Sequence, residues 1–292
     1  MIQLLHHVQL YTIISHMDKR EIFSGISLGI GECLKDVDVC SPKEIQDAMQ
    51  SMTNEQTPIS ALNKLKDETG CKTESCVLKK KFSNNVVNSI LETRFKAEGP
   101  KNSTQLLSNF NIDNTLTRWA LEFDFFFPCP FAMMDFDNTH EPFSIVSIPD
   151  VYMGEYVMKL SGKHIKRKNK CFGCIINTDV STGPGKHWTA AFVDMRSNVA
   201  SIEYFNSVAN PPVKAITIWM ERTKNDLMKS GLFSTVISIP VTTIDHQQDD
   251  TECGVYSLYY IRCRLEGKPY TFFQDKPISD KFMIEFRKYL FR

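Results

Sequence analysis

Gln247-Gln248-Asp249-Asp250-Thr251-Glu252-Cys253-Gly254 runs straight into Val255 to Leu265, a stretch with the apolar content of a buried helix. Read together, they place a cysteine in the first turn of a helix. The positive end of a helix dipole favours thiolate over thiol, so the position suits a nucleophile. A cysteine nucleophile needs a base to take its proton, a group to hold that base, and donors for the oxyanion. The chain offers candidates for all of these, in the order His187, Asn206, Gln247 and Cys253.

Working outward from Cys253, Gln247 lies six residues upstream. Its side-chain amide and the backbone N–H of Cys253 could form an oxyanion hole, although Gln248 beside it has the same chemistry. His187 sits between the loop Ser181-Thr182-Gly183-Pro184-Gly185-Lys186 and a strand opening at Trp188, at an edge where a cleft can form. Asn206 closes the next strand, and adjacent strand ends can bring an amide oxygen to an imidazole. Each residue has an ordinary reading as well: a surface histidine, a turn asparagine, a solvated glutamine, a buried structural thiol. Their joint order and placement favour catalysis. Two rivals stand beside them. His246 is a second candidate base. Asp194 would hold an imidazolium more strongly than an amide, but it lies at the far end of the His187 strand, ~23 Å away if extended. His6, His7, His16, His140 and His164 lack a comparable setting.

A chain of 292 residues holds one large domain or a core with a smaller companion. Lys+Arg and Asp+Glu balance at 34 each, so no whole-molecule field draws it to nucleic acid or acidic membranes. The basic run Lys163-His164-Ile165-Lys166-Arg167-Lys168-Asn169-Lys170 reads as a solvated hairpin or loop rather than a DNA contact. Lys79-Lys80-Lys81 reads as a solvated helix edge. The nine cysteines are odd in number and several lie in strand-like runs, so reduced, mostly buried thiols are expected rather than a disulfide framework. Cys71-x4-Cys76 and Cys171-x2-Cys174 invite a zinc reading, yet no histidine follows at finger spacing. No metal or other cofactor is expected. No run approaches the ~20 apolar residues of a membrane span. Residues 1–16 lack the features of a signal peptide and read as a possible leader extension ahead of Met17.

The periodicity predicts helices from Ser41-Pro42-Lys43-Glu44, with Ser41 as N-cap, through Ile59–Leu65 and around Val86–Leu91, so residues 17–100 form a small helical segment. From residue 101 an aromatic-rich helix is expected over Leu116–Phe127, closed by Pro128 and Pro130. Strands are expected at Phe172–Asn177, Trp188–Met195, Ala200–Phe205 and Thr235–Ile239. Helices are expected at Val213–Lys229, Gly254–Leu265 and Phe282–Phe291. Consecutive strands, then helix, strand and helix, indicate an α+β fold.

Lys186-His187-Trp188, Glu203-Tyr204-Phe205-Asn206-Ser207, His246-Gln247 and Thr251-Glu252-Cys253-Gly254 together resemble the motifs of the SUMO-specific, Ulp1-like cysteine proteases. The polyprotein-processing branch of African swine fever virus and related large DNA viruses is the best match, since Cys71-Lys72-Thr73-Glu74-Ser75-Cys76, Leu91-Glu92-Thr93-Arg94-Phe95-Lys96-Ala97, Met133-Met134-Asp135-Phe136 and Trp219-Met220-Glu221-Arg222 are also similar to it. The likeness extends from about residue 20 to the end. It implies a papain-like core over 101–292 with a helical arm domain over 17–100. It also implies cleavage of viral structural polyproteins after Gly-Gly during virion maturation, in host cytoplasmic viral factories and in the virion. Carried over, His187 is the base, Asn206 its orienter, Cys253 the nucleophile and Gln247 the oxyanion donor, while Trp188 walls a narrow substrate channel. Most SUMO proteases have aspartate where this chain has Asn206, which can orient the ring but adds no negative charge. Two other readings stay open: an isopeptidase removing a ubiquitin-like modifier, and an inactive module that binds Gly-Gly tails.

Overall fold

Thr57 starts the second of four short helices by accepting from Ser60 N–H in a reciprocal capping box, with Pro58 at the first helical position. The computed structural model describes residue 26 and residues 31–136, 146–160 and 162–292. The proposed leader 1–16 and its histidines, and His140, lie outside the described residues. The four helices are α1 (Lys43–Thr53), α2 (Pro58–Thr69), α3 (Glu74–Lys81) and α4 (Asn84–Arg94). Ser41 is not the cap of α1. Pro42 holds that place, and Ser41 instead donates through Oγ and N to the buried carboxylate of Glu74. That contact ties the start of α1 to α3.

These helices close over two small apolar clusters, one around Met49, Leu62 and Val77, the other around Leu78, Leu91 and Phe95. Here the expectation of reduced thiols fails. Cys33 is joined to Cys40 and Cys71 to Cys76, both pairs in this thinly packed segment. The second pairing removes Cys71 and Cys76 as zinc ligands. Folding brings these neighbours together, which spacing alone does not reveal. Cys129, Cys171, Cys174, Cys253 and Cys263 are free and buried.

Ser108 caps α5 (Asn109–Glu122), reciprocated by Asn111. The helix therefore starts seven residues before the expected Leu116 and stops at Glu122. Phe126 and Phe127, expected to extend it, belong to strand β1 (Phe126–Pro128), whose partner is the buried strand β5 (Cys171–Asn177). Between them come β2 (Ala132–Met133), α6 (Ile148–Met153), and the antiparallel hairpin of β3 (Val157–Leu160) and β4 (Lys163–Lys166). The basic run thus forms the second strand of an exposed hairpin and the turn after it.

After β5 follow β6 (Trp188–Asp194), β7 (Val199–Phe205), α7 (Lys214–Lys229), β8 (Thr235–Val241), α8 (Cys253–Leu265), α9 (Phe272–Asp275) and α10 (Asp280–Leu290). The sheet order is β1-β5-β6-β7-β8, with β2 also paired to β5. Neighbours among β5, β6 and β7 run antiparallel, while β1, β2 and β8 add in parallel. The result is a mixed-sheet α+β fold. Both faces of the central strands are covered, which is why they read as continuous apolar runs. One face packs against α5, α8 and α10 through Trp119, Tyr256, Tyr259 and Phe286, the other against α6 and α7 through Val151 and Trp219. Cys171 and Cys174 fall on opposite faces of β5 and cannot grip one ion.

The far ends of β6 and β7 are bound to α8 by buried charge. Glu203 is fully buried and accepts from Tyr260 Oη at 2.7 Å and Arg264 Nε at 2.8 Å. Arg264 also reaches Asp194 at 2.9 Å. Asp194 therefore belongs to a structural ion network, at the opposite end of β6 from His187.

Candidate active site

The near ends of the same elements converge. Cys253 is the first residue of α8 and is 2% exposed, at the floor of a cleft of about 480 Å³. Leu107, Phe131, Trp188 and the 183–186 loop form its walls. The backbone N–H groups of Trp188, Gly254 and Cys253 itself reach the sulfur. A helix terminus alone predicts a lowered thiol pKa. Burial outweighs those donors and pushes the Cys253 thiol above its ordinary value, with Glu252 adding to the rise.

The loop that delivers His187 is held from inside. Asn177 Oδ1 accepts from Asp179 N at 2.9 Å and Lys186 N at 3.0 Å. Asp179 accepts from Gly185 N at 3.1 Å and pairs with Lys186 at 3.3 Å. Gly185 has φ +92°, where a side chain is strained, and a Cβ on Gly183 would meet the Asp179 carboxylate at 2.4 Å. His187 O then accepts from Thr178 N at 2.8 Å, which continues the β5–β6 ladder past Trp188.

His187 Nε2 lies 2.8 Å from Asn206 Oδ1. The rest of the Asn206 amide is committed: Nδ2 donates to Tyr204 Oη and to Asn210 O, each at 3.2 Å, and Oδ1 also accepts from Val208 N. This assignment fixes Oδ1 as an acceptor, so Nε2 carries the proton and Nδ1 keeps the lone pair. The ring is set to receive a proton at Nδ1. His246 has no such freedom. Its Nε2 donates to Phe273 O at 3.0 Å, and its Nδ1 accepts from Ile278 N at 3.1 Å. The rival base is a packed core residue among Phe205, Tyr256 and Phe273.

Gln247 is buried and Gln248 exposed, which separates the two amides. Gln247 Oε1 accepts from Ser207 Oγ at 2.7 Å, and Nε2 donates to Asp249 O at 2.6 Å. One of its two amide hydrogens is thereby engaged. Backbone bonds from His246 N and Gln247 N to Ser207 O lock this segment to the residue after Asn206. Trp188 is 7% exposed, donates through Nε1 to Leu107 O at 3.0 Å, and meets the edge of Phe131 at 6.1 Å. All five residues singled out in the sequence gather at this end of the sheet. Asn177 and Asp179 were missed, although an Asx pair just before a Gly-Pro-Gly loop is a turn signal. Leu107 and Phe131 carry no local signal.

Burial that raises the Cys253 thiol also disfavours its thiolate. His187 must be neutral to act as base. Burial lowers its pKa below the ordinary 6.5, and the Asn206 bond offsets only part of that. The neutral form therefore persists to more acid pH. The acid limb of kcat/KM should have its midpoint below 6.5; a midpoint above that value contradicts burial of His187 as the controlling effect.

Residues 156–292 match a family described as the Ulp1 protease family, C-terminal catalytic domain. The chain is 45% identical over 281 residues to a cysteine protease of African swine fever virus from a tick isolate of Malawi, covering 93% of this chain and 98% of that protein. The same identity and coverage relate it to the corresponding protein of a pig isolate from Kenya, which is named a SUMO-1 cysteine protease. A crystal structure of the African swine fever virus protease superposes with a TM-score of 0.79 at 44% identity, covering 91% of this chain and 97% of that one.

Proposed function

This chain belongs to the Ulp1 protease family and is a cysteine protease, and from that premise we propose that it cleaves viral structural polyproteins after Gly-Gly during virion maturation. His187 Nδ1 takes the Cys253 proton as Sγ attacks the scissile carbonyl carbon. The oxyanion is held by Cys253 N–H and by Gln247 Nε2, whose second hydrogen turns to it. His187 returns the proton to the leaving amine, and a water, deprotonated by the same imidazole, then releases the acid from the thioester. Asn206 keeps the ring in one tautomer throughout.

The observation that carries this reading is the His187–Asn206 bond beside a cleft whose floor is Cys253 and whose wall is Trp188. Indole and Leu107 packed against the nucleophile leave room for glycine better than for any larger side chain. The arm domain is residues 17–100 and the protease core 101–292, acting in cytoplasmic viral factories and in the virion. Among the described residues no helix is long and apolar enough to cross a membrane. Mass-spectrometric mapping of bonds cut in a viral structural polyprotein, with active and Cys253→Ala protein side by side, tests the proposal. Cuts after Gly-Gly made only by the active form support it; cuts elsewhere, or none, refute it. A relative's name, SUMO-1 cysteine protease, favours a second reading in which the substrate is a modifier conjugate. Preferential cleavage of such a conjugate over the polyprotein would establish that reading instead.

A further inference from the structure

One face of α5 joins the catalytic cleft to a second cavity. Asn109 lines the cleft at Cys253, while Asp113, Leu116 and Thr117 line a separate cavity of about 330 Å³. Residues at these spacings share one side of a helix. The opposite bank is the β3–β4 hairpin, whose register sets Lys159 directly across from His164. The segment 128–133 is the partition: Pro128 and Pro130 face the cavity, Phe131 and Met133 the cleft. Phe131 N donates to Asp113 Oδ1 at 2.7 Å, and its ring rests on Trp188. The cavity and the channel wall therefore share a strut.

The route between them is apolar and the cavity is polar at chosen points. Leu106, which lines the cleft, is 55% exposed, and Phe110 in the first turn of α5 is 70% exposed. The second oxygen of Asp113 has no partner among the described residues, and burial lifts this carboxyl to about 6. Lys159 and His164 are exposed and face no carboxylate in any ion pair among the described residues. An occupant with one large apolar side chain, a free backbone N–H for Asp113 and an adjacent acidic group satisfies all of these at once.

We infer that this cavity is an exosite for the substrate chain upstream of Gly-Gly, taking a leucine-sized apolar residue next to an acidic one. The inference rests on the proposed Gly-Gly specificity. With the glycines against Trp188, the chain before them leaves past Leu106 and Asn109 along α5. From Asn109 to Thr117 the helix advances about 12 Å, which an extended chain covers in about four residues. Adding the glycines and the crossing of the cleft puts the apolar residue roughly six to eight positions before the scissile bond by the same arithmetic.

The test uses fluorogenic peptides that share Gly-Gly-X and carry a Gly-Ser filler upstream, with a Leu-Glu pair moved stepwise from three to ten positions before the cut. In the wild-type protein kcat/KM should rise about tenfold, the order expected for burying one leucine, only when the pair lies in the six-to-eight window. A Ser-Ser pair should give no gain. Thr117→Trp, which fills the cavity, should erase the gain, and Lys159→Glu should shift preference from Leu-Glu to Leu-Lys. Both variants should cleave the short Gly-Gly-X peptide as the wild type does. A flat series in the wild type, or a gain that survives Thr117→Trp, overturns the exosite while leaving the Gly-Gly proposal standing. Failure of the wild type to cut the short peptide brings down both.

Discussion

Turnover of a Gly-Gly-X peptide by Cys253→Ala should fall by about 10⁵- to 10⁶-fold, the loss seen when the nucleophile of a concerted set is deleted. The sulfur lies buried at the cleft floor, where backbone donors from Trp188 and Gly254 converge on it. Alanine keeps those donors but offers nothing to attack a carbonyl. His187→Ala should cost nearly as much, since nucleophile and base act as one unit. Asn206→Ala should cost less, about 10²-fold, because it frees the ring to rotate without removing a charge. Asn206→Asp should not exceed wild-type activity. The Asn206 Nδ2 donates to Asn210 O, and a carboxylate would set an acceptor against that carbonyl. Steady-state kinetics on one peptide rank all four. Full activity in Cys253→Ala would end the cysteine-protease mechanism proposed for this site.

Arg287→Met should destabilise the fold by about 3–5 kcal/mol, the range for stranding one member of a buried ion pair. Arg287 on α10 is 1% exposed and grips the fully buried Glu252 through Nε at 3.0 Å and another nitrogen at 2.8 Å. Glu252 immediately precedes Cys253, and Arg287 also donates to Gln105 O at 2.6 Å and to Thr251 O at 3.3 Å. One guanidinium thus joins the start of α8 to the segment that carries Leu107, the acceptor for Trp188 Nε1. Burial already pushes the Glu252 carboxyl above its ordinary value, against the pull of Arg287. Without Arg287 that pull is gone. The double change Arg287→Met with Glu252→Gln should recover most of the lost stability, because no charge is then buried alone. Urea unfolding of the three proteins reads this directly. Equal midpoints for wild type and Arg287→Met would show the pair to be dispensable.

The strands β5 to β8 and the helices α7 and α8 were legible because each is an apolar run bounded by turn residues. The start of α5 was not, since its capping partner is Asn111 rather than a glutamate or glutamine. Strand β1 escaped because Phe126 and Phe127 look like a helix tail until β5 pairs with them. At the site, residue types in order singled out His187, Asn206, Gln247 and Cys253. Sequence favoured His187 but left His246 as a rival, which is set aside by the bonds already made at both of its ring nitrogens. Nor could it weigh burial against the helix dipole at Cys253. The α5 cavity needed α5 and the stretch after it to meet the β3–β4 hairpin farther along the chain.

The two crosslinks beside the N-terminal helices sit in the same molecule as Cys253, the proposed nucleophile, which is a free thiol. Each closes a loop of fewer than ten residues, so each contributes about 2–3 kcal/mol on a chain-entropy view. A reductant added to protect Cys253 in the test tube also opens both loops. Bench measurements made with and without it sample one active site in a protein whose N-terminal helices are crosslinked or not, and the buffer becomes a variable of the enzyme itself.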